Sequence, residues 1–288
     1  MGKQLHILNG DAAVPEFRKS GIDGDMVVWR EALADGPVSD PIKGNTFWKK
    51  RADFIQGGSG GEGYADKVLC ELNKLRKLDA YEEVVLWFEY DLFCQVNMLA
   101  CLNFIHHDRI SLVCLGDELG GQLQGLGQIS AHDFITLYDQ RTFLSHEDLS
   151  FAKSAWQAYT RETSEGLMTL VPSSAFKHIK PAMDAHLTRL PGKNGLNQPE
   201  VRMLNLIKGG IGDERKLIGT ILRDQGYFGF GDLQYYRYLD QLRPLLIPDK
   251  LAVNNLGEKI LEGKAVFAQP DQYIGGVFRP DYYQAKWG

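Results

Sequence analysis

The sequence predicts an α/β protein with a largely parallel sheet and flanking helices, followed by a smaller, winged-helix-like α+β domain at the C-terminal end. In the first half, short apolar runs of β type alternate with stretches of helical periodicity, which is the pattern of βαβ units. In the last third, three helical stretches precede a β-type run, interpreted as a hairpin, and a short final helix. This is the element order of a winged-helix domain.

Four strands are predicted in the first half, at residues 5–8, 26–29, 83–88 and 110–115. The helical periodicity predicts helices over residues 47–55 and 64–78 before the third strand, and over 92–105 after it. Helices over residues 131–138 and 147–160 follow the fourth strand. Ser145 opens the second of these, and the acidic residues Glu147 and Asp148 favour its N-terminal dipole.

A length of 288 residues exceeds the usual size of one domain, so a two-part division is expected. The segment PGKNGLNQP, residues 191–199, is the candidate linker because proline, glycine and asparagine accumulate there. The predicted domains are therefore residues 1–190 and 195–288. Helices are expected over residues 199–208, 213–225, 232–242 and 256–263 of the second part.

Composition narrows the class of protein. A net charge of -5 and a pI near 5.8 count against a dedicated nucleic-acid binder, which usually carries a concentrated basic face. The first residues lack the apolar stretch of a signal peptide, and no segment approaches the roughly 20 apolar residues that span a bilayer. The four cysteines form no CxxC pair and are interpreted as reduced. These observations predict a cytoplasmic protein without membrane association.

Acidic and polar side chains follow each of the four predicted strands. Ligands of open parallel sheets bind outside the carboxyl ends of the strands, where loops and helix N-termini converge. We therefore expect carboxylates from four segments to gather at one edge of the sheet. The four strand ends read Asn9-Gly10-Asp11, Trp29-Arg30-Glu31, Glu89-Tyr90-Asp91 and Gly116-Asp117-Glu118.

From these strand ends we select Asp11, Glu31, Glu89 and Asp91 as candidate catalytic residues. Carboxylates brought together must be protonated, paired with Arg30, or neutralised by a hard cation such as magnesium. A metal ion or a carboxyl of raised pKa would suit hydrolysis or phosphoryl chemistry. No metal ligands are assigned. In the alternative interpretation, Asp11 and Asp91 cap the following helices and Glu31 pairs with a neighbouring base.

Two glycine-containing segments are candidate phosphate sites. Residues 58–63 fit the pattern GxGxxG, but a helical segment precedes them where the dinucleotide fingerprint needs a strand, so a flexible loop is the favoured interpretation. Asn9 and Gly10 follow a strand and lead into a helix, which lets backbone amides approach an anion. Asp11 opposes a bare phosphate there unless a cation intervenes.

Several longer motifs resemble two known families. The opening LHILNGDAA, the segment VVWREALADGPV at 27–38, VVLWFEYDLFCQVNML at 84–99 and GLGQIS at 125–130 resemble the bacterial domain-of-unknown-function family 1835. The tail, with NGLNQPEVRML at 194–204, GFGDLQYYRYLDQL at 229–242, LGEKILEG at 256–263 and QYIGGVF at 272–278, is similar to the domain-of-unknown-function family 3658. Together they cover nearly the whole chain and support its division into two parts.

The resemblance implies a set of signature positions and no assigned activity. In relatives the third-strand motif often reads Glu-His-Asp, whereas Tyr90 stands in the middle here, which counts against a histidine-dependent mechanism. Through the resemblance, Gln95 joins Asn9, Gly10, Trp29 and Arg30 as candidate ligand-binding residues. The signature positions are Asn9, Gly10, Asp11, Trp29, Arg30, Glu31, Gly36, Pro37, Glu89, Asp91 and Gln95.

Two functions from different classes follow. The leading hypothesis is a protein that binds or acts on a small polar or phosphorylated, nucleotide-like molecule at the sheet edge. The alternative is a ligand-sensing, DNA-binding transcriptional regulator that uses the winged-helix-like domain. The acidic residues Asp232 and Asp240 on its third helix oppose phosphate, and the tyrosines there favour a packing face. A third possibility is that the second part serves only packing or oligomerisation.

Overall fold

The computed structural model of the chain describes residues 3–42, 44–56, 63–161, 163–267, 271–280 and 286. Five strands form the main sheet in the order β2-β1-β3-β4-β5. The first four are parallel to their neighbours, and β5 is antiparallel to β4. The α/β class and the four predicted strands are thereby confirmed. The strands are β1 Gln4–Asn9, β2 Asp25–Trp29, β3 Glu83–Glu89, β4 Ile110–Leu115 and β5 Thr142–Phe143.

Helices cover both faces of this sheet, as predicted. A π-helical turn at Ala65–Leu69 leads into α3, so the helix predicted over residues 64–78 is shorter and irregular. Most of the glycine motif at 58–63 lies outside the described residues. The helices of the first part are α1 Val14–Ser20, α2 Asn45–Gln56, α3 Cys70–Lys74, α4 Leu92–Phe104, α5 Ala131–Asp139, α6 His146–Tyr159, α7 Glu165–Met168 and α8 Ile179–Leu187.

The central strand β3 shows why the sheet is covered on both sides. Val84, Leu86 and Phe88 belong to one hydrophobic cluster, whereas Val85 and Trp87 belong to another. Both sets are fully buried. A strand that buries both faces reads as a continuous apolar run, which is the signature of a parallel sheet between helices.

Helix α4 is the most deeply buried helix of the first part. All residues from Leu92 to Leu102 except Phe93 are buried, so the helix has no polar face to turn toward solvent. A helix that is apolar on all sides packs in the interior rather than on the surface. Two of its polar side chains, Gln95 and Asn97, are completely buried and must therefore find partners inside the protein.

The C-terminal part contains α9 Gln198–Lys208, α10 Glu214–Arg223, α11 Asp232–Leu242, α12 Asn255–Leu261, β6 Tyr273–Ile274 and β7 Val277–Phe278. The four predicted helices are present, but the winged-helix arrangement is not confirmed. Where a hairpin was expected between α11 and α12, the described chain has a short 3-10 turn and an isolated bridge between Leu246 and Val253. Pro244 and Pro248 lack the N–H groups that a strand ladder needs. A short hairpin of β6 and β7, with two residues in each strand, follows α12 instead.

The candidate linker at residues 191–199 is packed rather than extended. Leu196 is buried, and Asn197 caps α9 by accepting a hydrogen bond from the Glu200 N–H at 2.9 Å. Just before it, the buried Arg189 donates to the Tyr238 hydroxyl at 3.2 Å and to the Ala34 carbonyl at 2.6 Å. One hydrophobic cluster continues from the sheet into α9, α10 and α11. The domain boundary at residues 190–195 therefore stays a prediction, because the two parts of the chain share one hydrophobic core.

No helix within the described ranges is long and apolar enough to cross a membrane.

A buried ion pair fixes the loop that follows β2. The Arg51 Nη2 and Glu31 Oε2 atoms are 2.9 Å apart, and neither side chain is exposed. Arg51 also donates to the carbonyls of Asp35, at 2.6 Å, and Ala32, at 3.1 Å. The Tyr64 hydroxyl donates to the second carboxylate oxygen of Glu31. Because every charged atom has partners, this pair can remain buried despite the cost of desolvation.

Replacing one member of this pair is expected to destabilise the protein strongly. Arg51→Met leaves the Glu31 carboxylate buried without its counter-ion, which typically costs about 3–5 kcal/mol. Urea unfolding monitored by circular dichroism measures the loss. The matched control is Arg202→Met, which removes a surface pair with Asp224 of 3.0 Å and is expected to cost less than about 1 kcal/mol. Equal losses for the two variants would contradict the structural role of Arg51.

Candidate functional site

The order of the strands places the topological switch point of the sheet at the carboxyl ends of β1 and β3. β1 pairs with β2 on one side and with β3 on the other, so the direction of sheet growth reverses after β2. In open α/β sheets such a switch point opens a crevice that binds ligands. Because β1 to β4 are parallel, the four polar strand ends do lie at one edge, as expected from the sequence.

The end of β3 carries two carboxyl groups and a thiol in one cluster. Ligand atoms of Glu89, Asp91 and Cys94 all lie within 4.8 Å of one another. Asp91 is the N-cap of α4 and accepts a hydrogen bond from the Cys94 N–H at 2.8 Å. Glu89 Oε1 accepts one from the Leu126 N–H at 2.8 Å. The candidate catalytic residues Glu89 and Asp91 are thus brought together.

Burial sets the protonation of this cluster. Loss of solvation, with the neighbouring Asp91 charge, raises the pKa of Glu89 to about 7. Burial also raises the pKa of Asp91. Glu89 therefore gains and loses its proton near neutral pH, and this titration is linked to the charge of the adjacent Asp91. Burial raises the pKa of Cys94 well above that of a free thiol, so Cys94 stays a neutral thiol and is no ready nucleophile.

The C-terminal part closes this cluster. The Leu92 N–H donates to the Tyr227 carbonyl at 2.7 Å, and the Phe93 N–H donates to the Phe228 carbonyl at 3.3 Å. Gly229 has a φ of +64°, and a Cβ there would lie 2.0 Å from Asp91 Cγ. The first backbone amides of α4, which have no partner within the helix, therefore donate to carbonyls of a loop. This helix N-terminus offers no anion site.

An open pocket of about 320 Å³ lies beside the cluster, at the ends of β1 and β2. It contains five of the predicted residues, the cations Arg30 and Lys67, and an apolar wall. Gly10, at φ +84°, has open space where a side chain would stand, so a ligand can approach its backbone. The lining residues are Gly10, Asp11, Trp29, Arg30, Glu31, Ile55, Tyr64, Lys67, Val68 and Phe93.

Two residues that line this pocket, Asp11 and Arg30, form an ion pair. The Arg30 guanidinium donates three hydrogen bonds to Asp11: Nη2 to Oδ1 at 2.8 Å, Nε to Oδ2 at 2.9 Å and Nε to Oδ1 at 3.1 Å. The same guanidinium lowers the pKa of Asp11. The Asp11 side chain is 66% exposed, so this carboxylate faces solvent and can turn to a ligand. Arg30 Nη1 also donates to the Lys67 carbonyl at 3.2 Å, which ties the pocket's two cationic residues together.

The capping alternative is correct for one carboxylate and wrong for another. Asp91 caps α4, but α1 begins after Ala13, and the Asp11 side chain pairs with Arg30 instead. Glu31 pairs with a neighbouring base, as the alternative expected; that base is Arg51. Its buried position gives Glu31 a structural role in the loop rather than direct contact with solvent.

Three candidate ligand-binding residues are buried, and their side chains contact other residues of the protein. Trp29 is 1% exposed and packs edge-to-face on Phe104, so its side chain belongs to the core. Gln95 Nε2 donates to the Glu89 carbonyl at 2.6 Å and thereby supports the end of β3. Asn9 Nδ2 donates to Cys94 Sγ at 2.9 Å, so Asn9 links the end of β1 to the carboxyl cluster.

Sequence reasoning missed several residues of this region. Lys67 and Phe93 lie on helices rather than strand ends, so the strand-end rule does not select them. His178 reaches the third-strand motif from the start of α8, with its ring 6.2 Å from that of Tyr90. A histidine therefore adjoins the motif although none occurs within it. Only the proximity of remote segments reveals this, and no local pattern signals it.

Models of known protein families do not match the chain, and neither does any curated protein.

The raised pKa of Glu89 predicts how stability depends on pH. The folded pKa of about 7 lies above the ordinary 4.5, so the fold binds the proton more tightly than the unfolded chain. Stability therefore falls as the pH rises from about 4.5 through about 7. Glu89→Gln keeps the shape without the charge, so its stability should fall less over this range. Urea unfolding at several pH values measures the difference.

The control for this experiment is Glu258→Gln, because Glu258 is exposed on α12 and its removal should leave the pH profile as in the wild type. If Glu89→Gln also retains the wild-type pH profile, Glu89 is already ionised near neutral pH and the assignment is wrong.

Proposed function

We propose that the protein binds a small phosphorylated, nucleotide-like molecule in the pocket at the ends of β1 and β2. The observation that carries this proposal is the pairing of two cations, Arg30 and Lys67, with an apolar wall in one open pocket. Ligand sites commonly combine an apolar lining with a few polar groups, at volumes of about 300–1,000 Å³. A volume of about 320 Å³ favours a single small molecule over a dinucleotide.

The cationic side of the pocket suits a phosphate group. Arginine offers a planar fork of donors that matches phosphate geometry, and its side chain here is 26% exposed. Lys67 is exposed, and the bare backbone at Gly10 lets an anion approach closely. Asp11 opposes a bare phosphate, so we include a magnesium ion in the proposal. Asp11 would hold this ion, whose positive charge would offset the repulsion between the Asp11 carboxylate and a phosphate.

The apolar side of the pocket suits a flat ring. Phe93, Ile55 and Val68 line it, and Phe93 is half-buried, so part of its ring is accessible. Aromatic rings stack on nucleobases whatever the base, since every base has a π face. A ligand with a phosphate at Arg30 and a ring toward Phe93 satisfies both sides of the pocket.

The cluster of Glu89, Asp91 and Cys94 is the basis for proposing that the protein also acts on its ligand. Asn9 contacts Cys94 in that cluster, and Gly10, the next residue, lines the pocket. A carboxyl with a pKa of about 7 can donate and accept a proton at neutral pH, as general acid–base catalysis requires. Glu89 and Asp91 do not line the pocket itself, so proton transfer by Glu89, with Asp91 as its partner, is proposed only for a ligand that also reaches the carboxyl cluster.

The regulator hypothesis gains no specific support from the described part of α11. The Arg237 side chain forms an ion pair with Asp35 and lies over the Phe54 ring. Tyr235 and Tyr238 of the same helix are buried. The face that a DNA-reading helix would present is therefore used for packing, in agreement with the favoured interpretation of its tyrosines.

The proposal also includes a family resemblance and a cellular location. The resemblance to the bacterial families 1835 and 3658 rests on the sequence motifs alone. A cytoplasmic location fits the four cysteines, which are free thiols.

A thermal-shift screen tests the binding proposal. Nucleoside phosphates and sugar phosphates are added with and without magnesium, and at least one should raise the unfolding temperature when magnesium is present. A ligand at a hundred times its Kd adds about 2.7 kcal/mol of stability. Arg30→Gln and Asp11→Asn should each abolish this shift, because they remove the phosphate donor and the magnesium ligand.

Arg202→Gln is the matched control, since Arg202 also forms a partly exposed pair with an aspartate, Asp224, but lies outside the pocket. This variant should keep the full shift. The proposal fails if no compound raises the unfolding temperature of the wild type. It also fails if Arg30→Gln shows the same shift as the Arg202→Gln control.

A further inference from the structure

A second cluster of metal-ligating side chains lies at the end of β4, outside the pocket described above. Asp117 and Glu118 follow the strand, and His178 comes from the residue that precedes α8. Ligand atoms of the three residues all lie within 4.8 Å of one another. None of the three lines the pocket at β1 and β2.

The imidazole of His178 is the distinctive member of this cluster. Its residue is 5% exposed, and Nε2 is buried without a hydrogen-bond partner. This atom points toward the carboxylates, 3.7 Å from Glu118 Oε1. A buried nitrogen left unpaired typically costs about 1–3 kcal/mol, so it calls for an explanation. A bound cation would provide the missing partner.

The backbone beside the imidazole is shaped to admit it. A Cβ on Gly116 would lie 2.4 Å from His178 Nε2, so only glycine at this position leaves room for the ring. The Gly116 N–H donates to Glu118 Oε2. This hydrogen bond orients the carboxylate and leaves Oε1 directed toward the imidazole. Metal ligands are commonly oriented by hydrogen bonds of this kind to their second atom.

A cation already occupies the space between the carboxylates. The ammonium of Lys177 lies 2.6 Å from Glu118 Oε1 and 3.0 Å from Asp117 Oδ1. The Lys177 side chain is 49% exposed, so it can turn into solvent and vacate this position. No hydrogen bond joins this ammonium to His178 Nε2, so the lone pair of the imidazole is available to a metal ion.

We propose that Asp117, Glu118 and His178 bind a divalent transition-metal ion of the zinc type, in competition with the ammonium of Lys177. Zinc takes imidazole nitrogen and carboxylate oxygen at about 2.0–2.2 Å, usually in a tetrahedron. Ligand atoms of such an ion are about 3.4 Å apart, close to the separation of His178 Nε2 and Glu118 Oε1. The cluster supplies three ligands, so a water molecule would complete the tetrahedron.

Metal titration of the full chain, with any affinity tag removed, tests this proposal. Cobalt binding is followed by visible absorption and zinc binding by calorimetry. Glu118→Gln and His178→Gln should each weaken binding by at least about tenfold, since even supporting residues of metal sites contribute this much. Lys177→Met should bind more tightly than the wild type, because the competing ammonium is gone.

Two controls separate this cluster from other sites. Glu89→Gln tests the cluster of Glu89, Asp91 and Cys94, and it should leave the affinity unchanged. Asp184→Asn, which removes another lysine–aspartate pair on α8, should also have no effect. Glu118 is accessible and its substitution should be tolerated, so it decides the result if His178→Gln unfolds.

The proposal is overturned if neither the wild type nor Lys177→Met binds cobalt or zinc. It is equally overturned if Glu118→Gln keeps the wild-type affinity, or if Glu89→Gln abolishes binding.

Discussion

The buried amide of Asn97 is the interaction on which the arrangement of the strand ends depends. Its Oδ1 accepts from the Leu33 N–H at 3.1 Å, and its Nδ2 donates to Asn9 Oδ1 at 2.9 Å and to the Glu31 carbonyl at 2.6 Å. One side chain of α4 thus joins the end of β1 to the loop after β2. Because α4 is buried on all sides, losing any of these bonds would leave an unpaired polar group without water.

Two kinds of carboxyl group lie at this one edge of the sheet, and they differ in the direction of their pKa shifts. Asp11 stays in solvent beside Arg30, which holds the pKa of Asp11 low. Glu89 and Asp91 lie beneath loops, and burial raises the pKa of both groups. Carboxyl groups at this one edge therefore differ: burial favours the protonated form of Glu89 and Asp91, whereas Arg30 favours the charged form of Asp11.

The site also depends on the second part of the chain. The carbonyls of Tyr227 and Phe228 occupy the amides that open α4, and Gly229 covers Asp91. Together with the shared hydrophobic cluster, this contact makes the C-terminal part a wall of the site. The environment that shifts the carboxyl pKa values is therefore assembled from both parts, whatever further role the second part has.

The sequence by itself determined the four parallel strands, the helices between them and the edge at which polar residues gather. These follow from local periodicity and from the rule that ligands bind at carboxyl ends of strands, neither of which needs the packed structure. Only the tertiary structure decided which partner each charge takes. Glu31 pairs with Arg51, twenty residues away, rather than with the adjacent Arg30. The reason is physical: burial and the distances between remote side chains arise only when the chain packs, and they decide which charges pair.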